Sequence, residues 1–150
     1  MASAYQYQVS AKWMGGKGGV LWSEATDKLV DFSAPIEFKG EAGRWTPEHL
    51  LAAAVASCFV ATFCGMAAAS RFEYNALDVA VHGTLTKDDK GLRFTAMLVK
   101  PILILDSAEL QEQGLRLLEK AERGCLIARS LACATTMEPL IQVAEQATAT

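Results

Sequence analysis

Hydrophobic and polar positions alternate along the first third of the chain, which is the period of a half-buried strand. This alternation predicts a strand over Tyr5–Trp13, and the glycine-rich segment Gly15–Gly19 predicts a turn. Val20–Trp22 continues as a second strand. A third is predicted over Leu29–Phe38, bent near Pro35 because proline cannot donate to a ladder. No helix follows the glycines, so they do not indicate a phosphate-binding loop.

A long helix is predicted to begin at Thr46. The Thr46 hydroxyl can cap the first turn, Pro47 suits the first helical position, and Glu48 places negative charge at the positive end of the helix dipole. The twenty residues Leu50–Ala69 carry no charge, a length that could span a bilayer. The segment is rich in alanine and lacks aromatic and basic anchors at both ends. It therefore predicts a buried central helix instead of a membrane span.

The second half begins with a predicted hairpin. Leu77–Thr86 alternates, Lys87–Gly91 forms a polar turn, and Leu92–Leu105 returns. Pro101 is expected to mark an edge or a bend of the returning strand.

Two helices and a strand complete the prediction. Ser107 begins a helix that Gly124 ends, with its apolar face formed by Leu110, Leu117, Leu118 and Ala121. Cys125–Leu131 is predicted as a short helix, Met137–Ala144 as the last strand, and Glu145–Thr150 as a frayed tail. Strands and helices in this order indicate an α+β fold, and residues 1–150 are predicted to form a single domain.

Composition and charge exclude several functions. The net charge is −3 and the basic residues are scattered, so no nucleic-acid-binding surface is predicted. Residues 1–9 lack the features of a signal peptide, which favours a cytoplasmic location. In the cytoplasm, the four cysteines are expected to be free, metal-binding or redox-active instead of forming structural disulfides. Without a Cys-x-x-Cys motif, and with His49 and His82 far from the cysteines in sequence, no metal site is predicted, and no cofactor either.

The cysteines differ in their predicted surroundings. Cys64 and Cys133 are interpreted as small buried hydrophobic residues. Cys58 and Cys64 share a helix and lie ~9 Å apart along its axis, too far for a disulfide. Cys125 follows Gly124 at a helix start, where backbone amides would stabilise a thiolate. Cys58 lies about three turns into the long helix, beyond the reach of its dipole. On this reasoning alone, Cys125 is the better nucleophile.

Two segments resemble a known family. Thr46–Phe59, with its Pro-Glu start and a Cys-Phe pair, resembles the central helix of the osmotically inducible protein C and organic hydroperoxide resistance (OsmC/Ohr) family. Cys125–Leu131 resembles the family's second cysteine motif, and the strand with Lys12-Trp13 and the element order also fit. The resemblance implies an OsmC-like α+β fold and an intertwined homodimer with two active sites at its interface.

The resemblance also implies a chemistry. Cys58 would be the peroxidatic cysteine and Cys125 the resolving one in a peroxidase that reduces organic hydroperoxides and is reset by a dithiol reductant. Glu48, with an arginine, would support the thiolate. Because Glu48 and Cys58 are ~15 Å apart along one helix, Glu48 could serve Cys58 only from the other subunit.

The sequence departs from the family pattern at its cation and at one proline. The positions where the two branches of the family place their arginine hold Glu37 and Lys17, so Arg44, the arginine nearest the helix start, is the substitute. Leu126 replaces the proline that often follows the second cysteine. These departures keep a second hypothesis open, a non-enzymatic dimer that binds a hydrophobic ligand or a partner. Without the resemblance, the default would be a structural domain with four inert cysteines.

Overall fold

The computed structural model describes residues 3–144. They divide into two compact units, one ending at Leu51 and the other beginning at Ala52. The single domain over residues 1–150 stays a prediction. The tail predicted to fray, Glu145–Thr150, lies outside the described residues.

The first unit is built on an antiparallel sheet of three strands in the order β1-β2-β3. The strands are β1 Ser10–Trp13, β2 Gly18–Ser23 and β3 Thr26–Ser33. The first strand is shorter than predicted. The third ends at Ser33, and the prediction that it continues to Phe38 is wrong because the chain turns after Pro35 into a 3-10 turn, Ile36–Phe38.

The loop that connects β3 to the long helix is held by hydrogen bonds, one of which joins its two ends. The Ser33 amide donates to the Trp45 carbonyl at 2.9 Å, and the Ser33 hydroxyl accepts from the Glu41 amide at 2.8 Å. Gly40 lies so close to the Ala34 carbonyl that a Cβ atom would overlap it. The loop that carries Glu41 and Arg44 is therefore held at both ends.

The long helix, α1 Pro47–Ala69, begins where the sequence predicts. The Thr46 hydroxyl accepts from the His49 amide at 3.0 Å, as expected of a cap. Only one stripe of α1 is buried, formed by Val55, Phe59, Phe63 and Ala67. The prediction of burial on every side is therefore wrong for the single chain. The helix is long and apolar enough to cross a membrane, but its buried stripe belongs to the hydrophobic core of the second unit.

The second unit contains a four-stranded sheet. The predicted hairpin is confirmed as β4 Ala76–Asp88 and β5 Gly91–Leu105. The predicted last strand is in fact two strands, β6 Ala134–Met137 and β7 Leu140–Val143, and both pair with β5 in parallel.

Pro101 lies inside β5 and is buried, so the expectation of an edge or bend is wrong. On one side β5 pairs with β4 along its length. On the other side, β6 pairs with residues 96–99 and β7 with residues 102–105. Pro101 thus falls between the residues that pair with β6 and those that pair with β7, so on that side of β5 no strand residue is paired with it.

The two predicted helices of the second unit are confirmed. A 3-10 turn, Ala108–Leu110, leads into α2 Gln111–Gly124, and α3 Leu126–Arg129 follows after Cys125. The core gathers side chains from α1, β5, α2 and the residues that follow α2; its members include Val55, Phe59, Phe63, Val99, Leu103, Leu105, Leu118, Ala121 and Cys125.

Candidate active site: a pair of thiols

The fold brings Cys58 and Cys125 together, although they are 67 positions apart in the sequence. Cys58 is half-buried on α1 and packs against the core. Cys125 is buried at the junction of α2 and α3. Neither cysteine is in a disulfide, and the two thiols lie close enough for each to influence the pKa of the other. The Cys125 sulfur also lies 3.9 Å from the Val55 carbonyl oxygen of α1.

The surroundings of Cys58 favour its thiolate. Burial acts to raise the pKa of Cys58, but hydrogen bonds from four neutral groups outweigh it. These are the amides of Ile127 and Leu126, the Cys125 thiol and the Thr62 hydroxyl. The pKa of Cys58 therefore lies below its ordinary value.

Cys125 has the opposite shift. Burial raises the pKa of Cys125, and the hydrogen bond to Cys58 and the negative charge on that sulfur raise it further. The amides of Ala128 and Ile127 lower it without overcoming these effects. These opposite pKa shifts run against the expectation that the amides at the start of α3 make Cys125 the better nucleophile, because they favour the thiolate on Cys58.

The predicted supporting residues, Glu48 and Arg44, lie in the first unit. Glu48 is half-buried in the first turn of α1, and its Oε2 atom is buried without a hydrogen-bond partner among residues 3–144. Arg44 Nη2 forms an ion pair with Glu41 Oε2 at 3.0 Å. Arg44 also lies close to Gly18, because a Cβ atom built on this glycine would be 2.9 Å from Arg44 Nη1.

The two positions at which the sequence departs from the family's arginine have other contacts. Lys17 donates to the Phe38 carbonyl at 2.7 Å, and Glu37 is exposed in the 3-10 turn. Leu126, where the family often has proline, is exposed in its side chain, while its amide donates to Cys58. Because proline has no N–H, the leucine supplies a hydrogen bond that proline could not.

The other two cysteines lie apart from this pair. Cys64 is exposed, so its prediction as a buried residue is wrong, and its sulfur lies 3.2 Å from the Tyr74 hydroxyl. That hydrogen bond, with partial burial and the charge of Cys64, raises the pKa of Tyr74. Cys133 is half-buried.

Sequence reasoning missed Thr62 and the donor role of the Leu126 and Ile127 amides. Thr62 follows Cys58 by four residues on the same helix, a spacing that places two side chains on one face. That signal was available in the sequence. The amides of α3 could not be assigned to Cys58, because only the tertiary fold brings α3 to α1.

A metal-binding arrangement is not part of this site. Within residues 3–144, no cluster of three or more histidine, cysteine, aspartate or glutamate side chains is grouped to hold a metal ion. Fold and site together define an α+β protein with a reduced cysteine pair in which one sulfur is favoured as a thiolate and the other as a thiol.

Comparison with known proteins places this class in a family. The family described as OsmC-like protein matches residues 40–139. The chain belongs to the OsmC-like protein family.

Individual relatives are distant in sequence and close in fold. The chain is 26% identical to the peroxiredoxin OsmC of Escherichia coli over 132 residues, which cover 85% of this chain and 91% of that protein. An OsmC-like protein of unknown function from Vibrio cholerae has a TM-score of 0.80 at 18% identity, covering 91% of this chain and all of the other. An organic hydroperoxide resistance protein OsmC from Legionella pneumophila has a TM-score of 0.74 at 20% identity, covering 95% of this chain and all of the other.

Proposed function

We propose that the protein is a cysteine-based peroxidase that reduces organic hydroperoxides. The observation that carries this proposal is the pair of neighbouring thiols with opposite pKa shifts, downward on Cys58 and upward on Cys125. A thiolate is the nucleophile in peroxide reduction, and a neighbouring thiol is needed to resolve the product. Relatives described as a peroxiredoxin and as an organic hydroperoxide resistance protein support the same substrate class.

The reaction proceeds in three balanced steps. The Cys58 thiolate attacks the terminal oxygen of the hydroperoxide, the O–O bond breaks, and the departing alkoxide takes a proton from solvent to become an alcohol. Cys58 is now a sulfenic acid. The Cys125 thiol attacks its sulfur, a disulfide forms, and the hydroxyl leaves with the thiol proton as water. A dithiol reductant then exchanges with this disulfide, restoring both thiols and becoming oxidised itself.

The surroundings of the pair suit these roles. Burial of Cys125 keeps it protonated, so that it donates a hydrogen bond to the thiolate before the reaction. Its contact with Cys58 places it beside the sulfenic acid after the reaction, which favours condensation over further oxidation. We assign Cys58 as the peroxidatic residue and Cys125 as the resolving residue.

The complete site is proposed to require a homodimer. Helix geometry keeps Glu48 of one chain ~15 Å along the axis from its own Cys58, so the proposal takes Glu48 from the partner subunit. Arg44 is proposed as the cation that stabilises the Cys58 thiolate in place of the arginine of the family pattern. The enzyme is expected to act in the cytoplasm without a cofactor, membrane or nucleic acid.

Stopped-flow kinetics with cumene hydroperoxide test the proposal. The reduced protein is expected to consume the peroxide rapidly, Cys58→Ser to lose this activity, and Cys125→Ser to complete one turnover without forming the disulfide. Cys64→Ser is the matched control, because Cys64 lies on the same helix outside the pair. Absence of peroxide consumption, or full activity in Cys58→Ser, contradicts the proposal.

A second candidate is a non-enzymatic dimer that binds a hydrophobic ligand or a partner. It is favoured by one observation, that the groups lowering the pKa of Cys58 are all neutral. Thiol counting after one equivalent of hydroperoxide separates the two functions. Loss of two thiols that depends on Cys125 supports the peroxidase, and four unchanged thiols support the binding protein.

A further inference from the structure

Thr62 lies against the sulfur of Cys58. The two residues are one helical turn apart on α1, both are half-buried, and Thr62 Oγ1 is 3.9 Å from Cys58 Sγ. A hydroxyl inside a helix commonly donates to the carbonyl one turn earlier. Ser57 does so, donating to the Ala53 carbonyl at 2.8 Å. The Thr62 hydroxyl instead has a sulfur within its reach.

The methyl group of Thr62, on the face of the side chain opposite the hydroxyl, sets the orientation of the residue. A methyl group built on Gly124 would come within 3.5 Å of Thr62 Cγ2 and 2.9 Å of Met66 Cε. The methyl of Thr62 therefore faces the end of α2, where glycine leaves room for it. Because a β-branched side chain has few χ1 choices in a helix, holding the methyl there also restricts the hydroxyl.

The groups that surround Cys58 leave a role for the Thr62 hydroxyl in stabilising the thiolate. Cys125 is the titratable group that contributes to the pKa of Cys58 within the described chain, and the other contributions come from burial and neutral donors. Two of the donors are backbone amides and one is the Cys125 thiol, which is consumed when the disulfide forms. Among residues 3–144, Thr62 is the one side-chain donor on Cys58 that the proposed reaction leaves unchanged.

We infer that Thr62 is a catalytic residue, whose hydroxyl donates a hydrogen bond to the Cys58 thiolate and keeps that sulfur ready to attack the peroxide. This role rests on the proposed function, which makes Cys58 the attacking sulfur. It adds to the cysteine pair a neutral donor on the same helix that carries the nucleophile.

Three variants test the role. Thr62→Val keeps the shape and removes the hydroxyl, and Thr62→Ser keeps the hydroxyl and removes the methyl. Ser57→Ala is the matched control, because it removes a hydroxyl that neighbours Cys58 in sequence and bonds to backbone carbonyls. The thiolate of Cys58 is followed by iodoacetamide modification at a series of pH values, with the Cys58 peptide quantified by mass spectrometry.

Thr62→Val is expected to move the midpoint of Cys58 modification to higher pH and to slow modification near neutral pH about threefold or more, since a hydrogen bond to a charged group is among the stronger ones. Thr62→Ser should recover most of the loss, and Ser57→Ala should match the unchanged protein. An unchanged midpoint in Thr62→Val overturns the inference. If Thr62→Val does not fold, Thr62→Ala against Thr62→Ser gives the same comparison.

The modification assay uses no peroxide, so it separates the two proposals. A shifted midpoint with no peroxide consumption by the unchanged protein rejects the peroxidase while keeping the hydrogen bond of Thr62 to the thiolate. A normal midpoint in Thr62→Val with normal peroxide consumption rejects the role of Thr62 alone.

Discussion

The thiols of Cys58 and Cys125 influence each other's pKa, and their surroundings favour ionisation of Cys58 over ionisation of Cys125. Cys58 accepts from the amides of Leu126 and Ile127, whereas Cys125 is more deeply buried and faces the charge of Cys58. A neutral hydrogen-bond donor can lower a thiol pKa without a cation, because it stabilises the charged form more than the neutral form. At the scale of single residues, the site therefore has a built-in order of ionisation.

This order predicts two separate pH profiles. A lowered pKa means that the Cys58 thiolate fraction rises at lower pH than in an ordinary thiol, and a raised pKa delays the rise for Cys125. With increasing pH, alkylation of Cys58 should therefore reach its midpoint before alkylation of Cys125. Quantitative peptide mass spectrometry after short pulses measures both midpoints, and comparing midpoints instead of rates removes the effect of burial. A lower midpoint for Cys125 would contradict the assignment of roles.

The identity of the candidate residues could be predicted, but not their surroundings. Cys58 and Cys125 were found from their motifs, and the order that the resemblance implies agrees with the directions of their pKa shifts, while their roles stay a prediction. Local reasoning gave the opposite order, because it placed the amides of α3 on the adjacent Cys125. The fold directs the Leu126 amide to Cys58 instead, and no sequence spacing contains that information.

At the scale of elements, α1 illustrates what local signals can determine. Its start was predicted because Thr46, Pro47 and Glu48 each act within the first turn. The end of β3 was not, since the tie between Ser33 and Trp45 joins residues on either side of a loop. The split between β6 and β7 was also missed, although Pro139 lies between them in the sequence.

The cap of α1 gives a stability prediction. Thr46→Ala should lower the free energy of unfolding by about 1 kcal/mol, because the buried hydroxyl accepts from the His49 amide and also pairs with the His49 ring. Thr46→Ser keeps the acceptor and should lose much less. Urea denaturation followed by circular dichroism measures both. Equal losses in the two variants would show that the methyl group, not the cap, stabilises this position.

At the scale of the whole molecule, a single chain leaves much of α1 uncovered. Only its buried stripe lies in the core, and the remaining positions are half-buried or exposed although residues 50–69 carry no charge. Exposed apolar surface of this kind marks an interface in soluble proteins. The mismatch between an apolar helix and its partial burial supports the proposed homodimer.

Mixing two inactive variants tests the arrangement of that dimer. Glu48→Gln and Cys58→Ser are each expected to lose most of their peroxidase activity as homodimers. If Glu48 serves the partner's Cys58, each mixed dimer contains one site with both native residues, and random exchange of subunits restores about a quarter of the sites. Activity is measured with cumene hydroperoxide after denaturing and refolding the two variants together.

The same mixture of variants also tests whether Glu48 acts on the cysteine of its own chain. If Glu48 acted on the cysteine of its own chain, no subunit would hold both native residues, and the mixture would stay as inactive as its components. Refolding each variant alone controls for losses during the procedure, and light scattering confirms that dimers have formed again.

The position of α1 in the chain has a consequence for biosynthesis. The core partners that cover its buried stripe, among them Val99, Leu103 and Leu118, all follow it in the sequence. The uncharged residues 50–69 are therefore synthesised about fifty residues before Leu118, a delay of several seconds at ordinary rates of synthesis. During that interval the nascent helix resembles a membrane segment by length and composition. Until Leu118 has been synthesised, the apolar stripe of this helix lacks part of the core that covers it.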